Sequence, residues 1–203
     1  MISEKSKRKT NFFKYARLYR GDVAAVTFFS AMGGYLVAGK ALDFSAFFKG
    51  IFISLVVYNF VYVLNSVTDI GEDSLNKPHR PIPSGDLNKK DAEKYLILLL
   101  FVSVIMIPIL FKGAALFFMF LVIFLGIIYS VPPFQLKRYS FSAIFITAWG
   151  MTNPFLVTGG TGVFTAFTGI TFTSLAVVIF KDISDEKGDR KAGRKIITDK
   201  LPL

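Results

Sequence analysis

Six apolar runs, each close to the roughly 20 residues that a helix needs to cross a bilayer, leave this chain few folds to adopt. They lie at about 20–39, 46–68, 93–111, 113–131, 140–160 and 162–181. Short apolar runs can be buried strands, but these are too long and too numerous for that. An open sheet edge is also excluded from lipid, because its backbone groups would find no partner there. The expected class is therefore all-α, a multi-pass transmembrane helical bundle of about six helices. Composition agrees: 53% of the 203 residues are hydrophobic, 23 are Phe, and the mean hydropathy is +0.52. A soluble domain of this size would expose far too much apolar surface. Only Lys112-Gly113 separates the third run from the fourth, so a tight turn is expected there.

The net charge of +10 would suit a nucleic-acid binder. In a membrane chain the location of the charges matters more than their sum. Lys40, Lys49 and Lys112 fall on one side of the six runs, and the rest of the 24 Lys and Arg fall on the other. The positive-inside rule then places the N-terminus, the loop after the second run and the tail in the cytoplasm. The expected location is a plasma membrane, with the bilayer as a partner and no nucleic acid. The first run carries no clear small-x-small cleavage site and is followed by more spans, so it does not read as a signal peptide. There is no Cys, which excludes disulfides, Cys-ligated zinc and a thiol nucleophile. His79 is the single histidine, which removes His-cluster metal sites.

Two acid clusters close apolar runs. Asn65-Ser-Val-Thr-Asp69-Ile-Gly-Glu-Asp73 ends the second, and Asp182-Ile-Ser-Asp185-Glu-Lys-Gly-Asp189 ends the sixth. A carboxylate inside the hydrocarbon costs about 2.5–3.5 kcal/mol on insertion scales, so such residues usually carry function. At about 100° per residue, Asn65, Asp69 and Asp73 fall within an arc of roughly 80°, and Asp182, Asp185 and Asp189 within roughly 60° if that helix continues far enough. Each cluster would then aim hard oxygen donors one way. Such donors suit Mg²⁺, which takes one or two carboxylates together with phosphate oxygens and water. Two clusters could hold Mg²⁺ around one diphosphate. Cations stand beside both: Lys77 and Arg80 after the first, and Lys181, Arg190, Lys191 and Arg194 around the second, with Arg20 where the N-terminal arm meets the first run. Arg binds phosphate in a fork and Lys as a point charge. Topology signalling competes with this role for every one of them, and it is favoured for Lys89, Lys90, Lys195 and Lys200.

The stretch Asn76-Lys-Pro-His-Arg-Pro-Ile-Pro-Ser-Gly85 cannot be a regular helix, and it should be a stiff loop aiming Lys77 and Arg80. His79 within it reads as structural or solvated. Tyr129-Ser-Val-Pro-Pro133 should end the fourth helix, and Asn153-Pro154 should kink the fifth and free backbone groups.

Taken in order, N-x-x-x-D-x-x-x-D, N-K-P-x-R-P-I-P-S-G, Y-S-x-P-P-x-x-L-K-R and D-x-x-D-x-x-x-G-D-R-K-A-G-R resemble the UbiA superfamily of intramembrane prenyltransferases, over Phe12 to Arg194. The resemblance implies a central cavity capped on the cytoplasmic side and Mg²⁺-dependent binding of a polyprenyl diphosphate between the two Asp motifs. It implies Asn65, Asp69 and Asp73 as the first metal and diphosphate motif, with Asp185 and Asp189 as the second and Asp182 just before it. Arg20, Lys77 and Arg80 match positions of diphosphate-contacting cations, and Lys137 follows the Tyr129 motif. Two departures stand out. Ser66 follows Asn65 where members commonly have Asp. The family usually has about nine helices, so the expectation is one prenyltransferase domain over 1–203, with a basic arm at 1–11, lacking the last helices.

The function expected is prenyl transfer from the diphosphate to a lipophilic acceptor, an aromatic quinone precursor or related isoprenoid-lipid precursor. An archaeal digeranylgeranylglyceryl phosphate synthase-like enzyme is the close alternative. A divalent-cation transporter is the competitor of another class, and it is disfavoured because both acid clusters lie at one membrane face. A scaffold binding anionic lipid through Lys5 to Lys9 leaves the acid spacing unexplained.

Overall fold

The structure is a computed structural model. It describes residue 15 and residues 17–191, with the backbone alone at 140, 161 and 181–191. The described chain is helical, with no strand. Helix α1 spans Gly21–Val37, α2 Phe44–Thr68, α3 Ile70–Asn76, α4 Lys89–Leu110, α5 Gly113–Ser130, α6 Ser140–Gly159 and α7 Phe164–Lys191. A π-helical turn, Ile53–Val57, lies within α2. Four segments are long and apolar enough to cross a membrane: Phe44–Thr68, Lys89–Leu110, Gly113–Ser130 and Phe141–Gly159; Gly21–Val37 and Phe164–Phe180 are shorter apolar helices.

Local chemistry sets the helix ends. The Asp43 carboxylate accepts the Ala46 N–H at 2.8 Å and so caps α2. The Asn88 side chain accepts the Lys90 N–H at 3.0 Å and caps α4. At the far end of α4 the Lys112 ammonium donates to the Pro108 carbonyl at 2.7 Å. The expected tight turn follows, with Gly113 at φ +56°, a left-handed conformation that a β-carbon disfavours.

Helix α2 is the central post. Ile53, Val57 and Val63 are fully buried, and Phe60 nearly so, against α4, α5 and α1. Helix α6 packs on α1 at one side and on α7 at the other. The α1–α6 crossing is very close: a Cβ on Gly34 would fall 2.2 Å from the Phe155 carbonyl oxygen and 2.3 Å from Thr158 Oγ1. That hydroxyl donates to the Ala31 carbonyl of α1 at 2.6 Å. Between membrane helices, where lipid tails are as apolar as Leu, small residues and cross-helix hydroxyl bonds of this kind drive association. Phe101, Phe117, Phe124 and Phe172 project from the outer faces. In water such rings would be a liability, and in lipid they are solvated.

Pro154 stands inside α6, as expected, and has no N–H for the carbonyl of Gly150. The Tyr58 hydroxyl of α2 donates to that carbonyl at 2.5 Å.

Candidate active site

The first acid cluster does not sit on one regular helix. Helix α2 ends at Thr68, Asp69 adopts φ −99°, ψ 15°, and α3 begins at Ile70. The turn-to-turn bonds nevertheless persist across the break. The Asp69 N–H reaches the Asn65 carbonyl at 2.9 Å, the Asp73 N–H reaches Asp69 at 2.7 Å, and the Lys77 N–H reaches Asp73 at 2.7 Å. Regular helix geometry is therefore interrupted at Asp69 while these bonds carry across it, and Asn65, Asp69 and Asp73 all line one cavity of about 410 Å³. α2 leaves the apolar core there and enters a polar mouth.

Arg20, Lys77, Arg80 and Lys137 line the same cavity. Asp69, Asp73 and Lys137 are only 5%, 6% and 4% exposed. Charges taken this far from water must be matched by opposite charge. Lys137 projects from a short helical turn, Leu136–Arg138, entered through Gln135 at φ +38°. Its ammonium donates to the Asp69 carboxylate and, at 3.3 Å, to Thr68 Oγ1. The Arg80 guanidinium donates to the Asp73 carboxylate at 2.5 Å. The proline-rich loop that carries Arg80 is braced from outside, where Arg17 pairs with Asp86 and donates to the His79 carbonyl at 3.0 Å. His79 itself is exposed.

Arg20 stands at the N-terminal end of α1. It forks onto Asp22, at 2.5 and 3.3 Å, and lies 5.5 Å from the centre of the Tyr62 ring. The hydrogen bond it donates to the Asp22 carboxylate raises its pKa further above its already high ordinary value, so it stays a cation at the mouth. Deeper in, the cavity wall is apolar and aromatic: Val26 of α1, Tyr58 of α2, Val122 and Leu125 of α5, and Ile144 and Trp149 of α6.

Asn65, Asp69 and Asp73 supply hard oxygen donors of the kind Mg²⁺ prefers. Among the described residues no group of three or more His, Cys, Asp or Glu could hold a metal ion alone. The described donors thus fit a Mg²⁺ that shares its coordination with a phosphate ligand and water, not a closed protein cage. Asp182, Asp185, Asp189 and Arg190 lie on α7, whose backbone stays helical through Lys191; their side chains lie outside the description. The continuation of that helix satisfies the condition for the three acids to share a face.

Sequence reasoning missed Asp22 and Tyr62 as the partners that fix Arg20. Asp22 lay two residues beyond Arg20 and could have been suspected; Tyr62 could not, because nothing in the sequence says which ring the guanidinium meets. The Lys137–Asp69 contact was likewise out of reach, since 68 positions separate the two residues.

A multi-pass helical protein with charges gathered at the mouth of an apolar cavity is the class that fold and site define. The chain belongs to the UbiA prenyltransferase family, whose pattern matches residues 26–202. It is 34% identical over 179 residues to a protein of Oryza sativa subsp. japonica named probable homogentisate phytyltransferase 2, chloroplastic, covering 79% of this chain and 46% of that protein. It is 29% identical over 196 residues to a digeranylgeranylglyceryl phosphate synthase of Methanoculleus marisnigri, covering 90% of this chain and 66% of that one. The chain thus spans less than half the length of some curated plant relatives it matches, and 66% of the M. marisnigri protein. Among solved structures, that of a UbiA homologue from Archaeoglobus fulgidus bound to GPP and Mg²⁺ superposes with a TM-score of 0.72 at 22% identity, covering 90% of this chain and 67% of that one. A digeranylgeranylglyceryl phosphate synthase structure superposes with a TM-score of 0.76 at 24% identity, covering 94% and 69%. These likenesses fix the fold.

Proposed function

We propose that this protein transfers a polyprenyl group from a polyprenyl diphosphate to a lipophilic acceptor, with Mg²⁺ as cofactor. The observation that carries the reading is the pairing of buried Asp69 with Lys137 and of Asp73 with Arg80, at the mouth of a cavity whose inner wall is apolar. A diphosphate head needs cations and metal-binding oxygens together, and its prenyl tail needs hydrocarbon. Family membership and the named relatives support the same reaction class. The A. fulgidus homologue, bound to GPP and Mg²⁺, supports the ligand pair.

In this reading Arg20, Lys77, Arg80 and Lys137 bind the diphosphate, joined by Arg190 from α7. Asn65, Asp69 and Asp73 would hold metal, together with Asp182, Asp185 and Asp189 of the second motif. Bound Mg²⁺ supplies charge stabilisation for the departing diphosphate. The bond between prenyl C1 and the diphosphate oxygen breaks, and its electron pair leaves with the diphosphate, held by the guanidinium and ammonium groups. The acceptor bonds to C1 and releases a proton. Tyr58, Tyr62 and Trp149 line the cavity where the allylic carbon would become cation-like, and aromatic rings stabilise cations. The apolar wall keeps water from that carbon. The domain is read as spanning 1–203, in a plasma membrane, with the N-terminus and both Asp motifs cytoplasmic.

The acceptor is an aromatic quinone precursor or a related isoprenoid-lipid precursor, with an archaeal ether-lipid acceptor as the alternative; named relatives of both kinds match this chain. A divalent-cation transporter would need polar groups along the whole path, whereas Val26, Val122, Leu125 and Ile144 line the inner part. The test is transfer of labelled geranylgeranyl diphosphate by the protein in lipid nanodiscs, against homogentisate and geranylgeranylglyceryl phosphate. Product is expected from one acceptor, abolished by EDTA and reduced at least 100-fold by Asp69→Ala or Asp185→Ala. Transfer that survives EDTA would overturn the mechanism.

A further inference from the structure

A second cavity of about 610 Å³ lies on the other side of α2. Tyr15, Tyr19, Leu55, Asn59, Tyr95 and Leu98 line it, with Asp91 and Lys94 at its rim, and none of these residues lines the central cavity. Leu55 and Leu98 are about half exposed, so the groove opens sideways toward lipid. Its upper end is aromatic: Tyr15 and Tyr95 lie 5.4 Å apart, ring centre to ring centre, at the level where tyrosines sit in a membrane interface.

Asn59 makes this groove more than a fold in the surface. It lies in the middle of α2, is 4% exposed, and its Nδ2 donates to the Tyr95 hydroxyl at 2.8 Å. Its Oδ1 is buried with no partner. An amide in a hydrophobic segment with half of its hydrogen-bonding capacity unmet is expensive to keep, by more than one ordinary hydrogen bond is worth. Exchanging the two ends of the amide would leave Nδ2 wanting instead. A hydroxyl answers either need, because it both donates and accepts. The rim carries no net charge to attract a phosphate, since Lys94 pairs with Asp91 at 3.5 Å.

We infer that this groove is a binding site for an uncharged, hydroxyl-bearing membrane amphiphile, its hydroxyl on the Asn59 amide between Tyr15 and Tyr95 and its tail along Leu55 and Leu98. The site is independent of the central cavity and of the chemistry proposed there. Its occupant would brace Tyr19, the residue before Arg20, against α2 and α4.

The experiment is photo-crosslinking in nanodiscs of phosphatidylcholine, with a diazirine analogue of geranylgeraniol as the probe. Unlabelled geranylgeraniol, dioleoylglycerol and geranylgeranyl methyl ether are the competitors. Label is expected on the peptides carrying Leu55 and Leu98. Competition by either alcohol supports the site and identifies its source as isoprenoid or glyceride, and the ether should compete roughly tenfold more weakly. Asn59→Leu should erase that difference. Leu98→Trp, at a lipid-facing position that the fold tolerates, should block labelling by filling the groove. Label confined to the peptides of Val122 and Trp149, equal competition by the ether, or an unchanged preference in Asn59→Leu would each overturn the inference.

Discussion

The Tyr58 hydroxyl donates to the carbonyl of Gly150, the one backbone acceptor in α6 that Pro154 strips of its helical donor. The bond ties the central post α2 to α6 across the cavity wall. Tyr58→Phe should therefore lower stability by about 1–2 kcal/mol, the cost of a buried carbonyl left unsatisfied. Pro154→Ala restores a backbone N–H to that carbonyl, so in its background Tyr58→Phe should cost much less. Thermal unfolding of the four proteins of this cycle in detergent checks it. Additive losses would show that the Tyr58 hydroxyl contributes independently of the carbonyl that Pro154 frees.

Asp69 and Lys137 should behave as a unit. Both are almost fully buried, and removing one member of a buried pair destabilises by about 3–5 kcal/mol because the other charge stays behind. Lys137→Met and Asp69→Asn are each expected to lower the unfolding midpoint strongly. The double variant should recover part of the loss. Both single variants should also lose prenyl transfer, whereas the double variant should regain stability without regaining activity, which separates the structural role of the pair from its role toward diphosphate.

The α1–α6 crossing leaves no room for a methyl group. Gly34→Ala places a Cβ against backbone at Phe155, which cannot rotate away as a side-chain tip could. The helices must part, and overpacking of this kind costs about 1–3 kcal/mol. The Thr158 hydroxyl bond to Ala31 should lengthen with it. A lowered melting temperature checks the prediction. Gly150→Ala, where a Cβ meets nothing within 4 Å, is the control.

The helices were legible because lipid enforces them. A run read as 113–131 is the helix Gly113–Ser130, and one read as 46–68 is Phe44–Thr68, since backbone at membrane depth must bond within its own segment. The residues that gather at the mouth, Asn65, Asp69, Asp73, Lys77 and Arg80, were legible for a related reason: charges are costly near hydrocarbon and stand out against it. The interruption at Asp69 was not legible, because a helical arc drawn from spacing assumes one regular helix. Nor was the pairing of Asp69 with Lys137, which depends on how the turn after Pro132-Pro133 folds back over α2. Pro154 announced an orphan carbonyl, but only packing could reveal that Tyr58 answers it.

Orientation can be tested with the natural absence of Cys as the tool. Helix α4 runs from Lys89 to Leu110, and 22 residues at about 1.5 Å each span a hydrocarbon core. Lys89 and Lys112 therefore stand at opposite faces of the membrane. Ser45 precedes the long run of α2 and belongs with Lys112, whereas Lys90 belongs with Lys89. The charge asymmetry predicts that the Lys89 side is cytoplasmic. A membrane-impermeant maleimide added to intact cells should label Ser45→Cys and Lys112→Cys, and should reach Lys89→Cys and Lys90→Cys only after permeabilisation. All four positions are exposed, so failure to label reports sidedness and not burial. The reverse pattern would place the Asp69 and Asp73 mouth outside, where it would meet no cytoplasmic prenyl diphosphate.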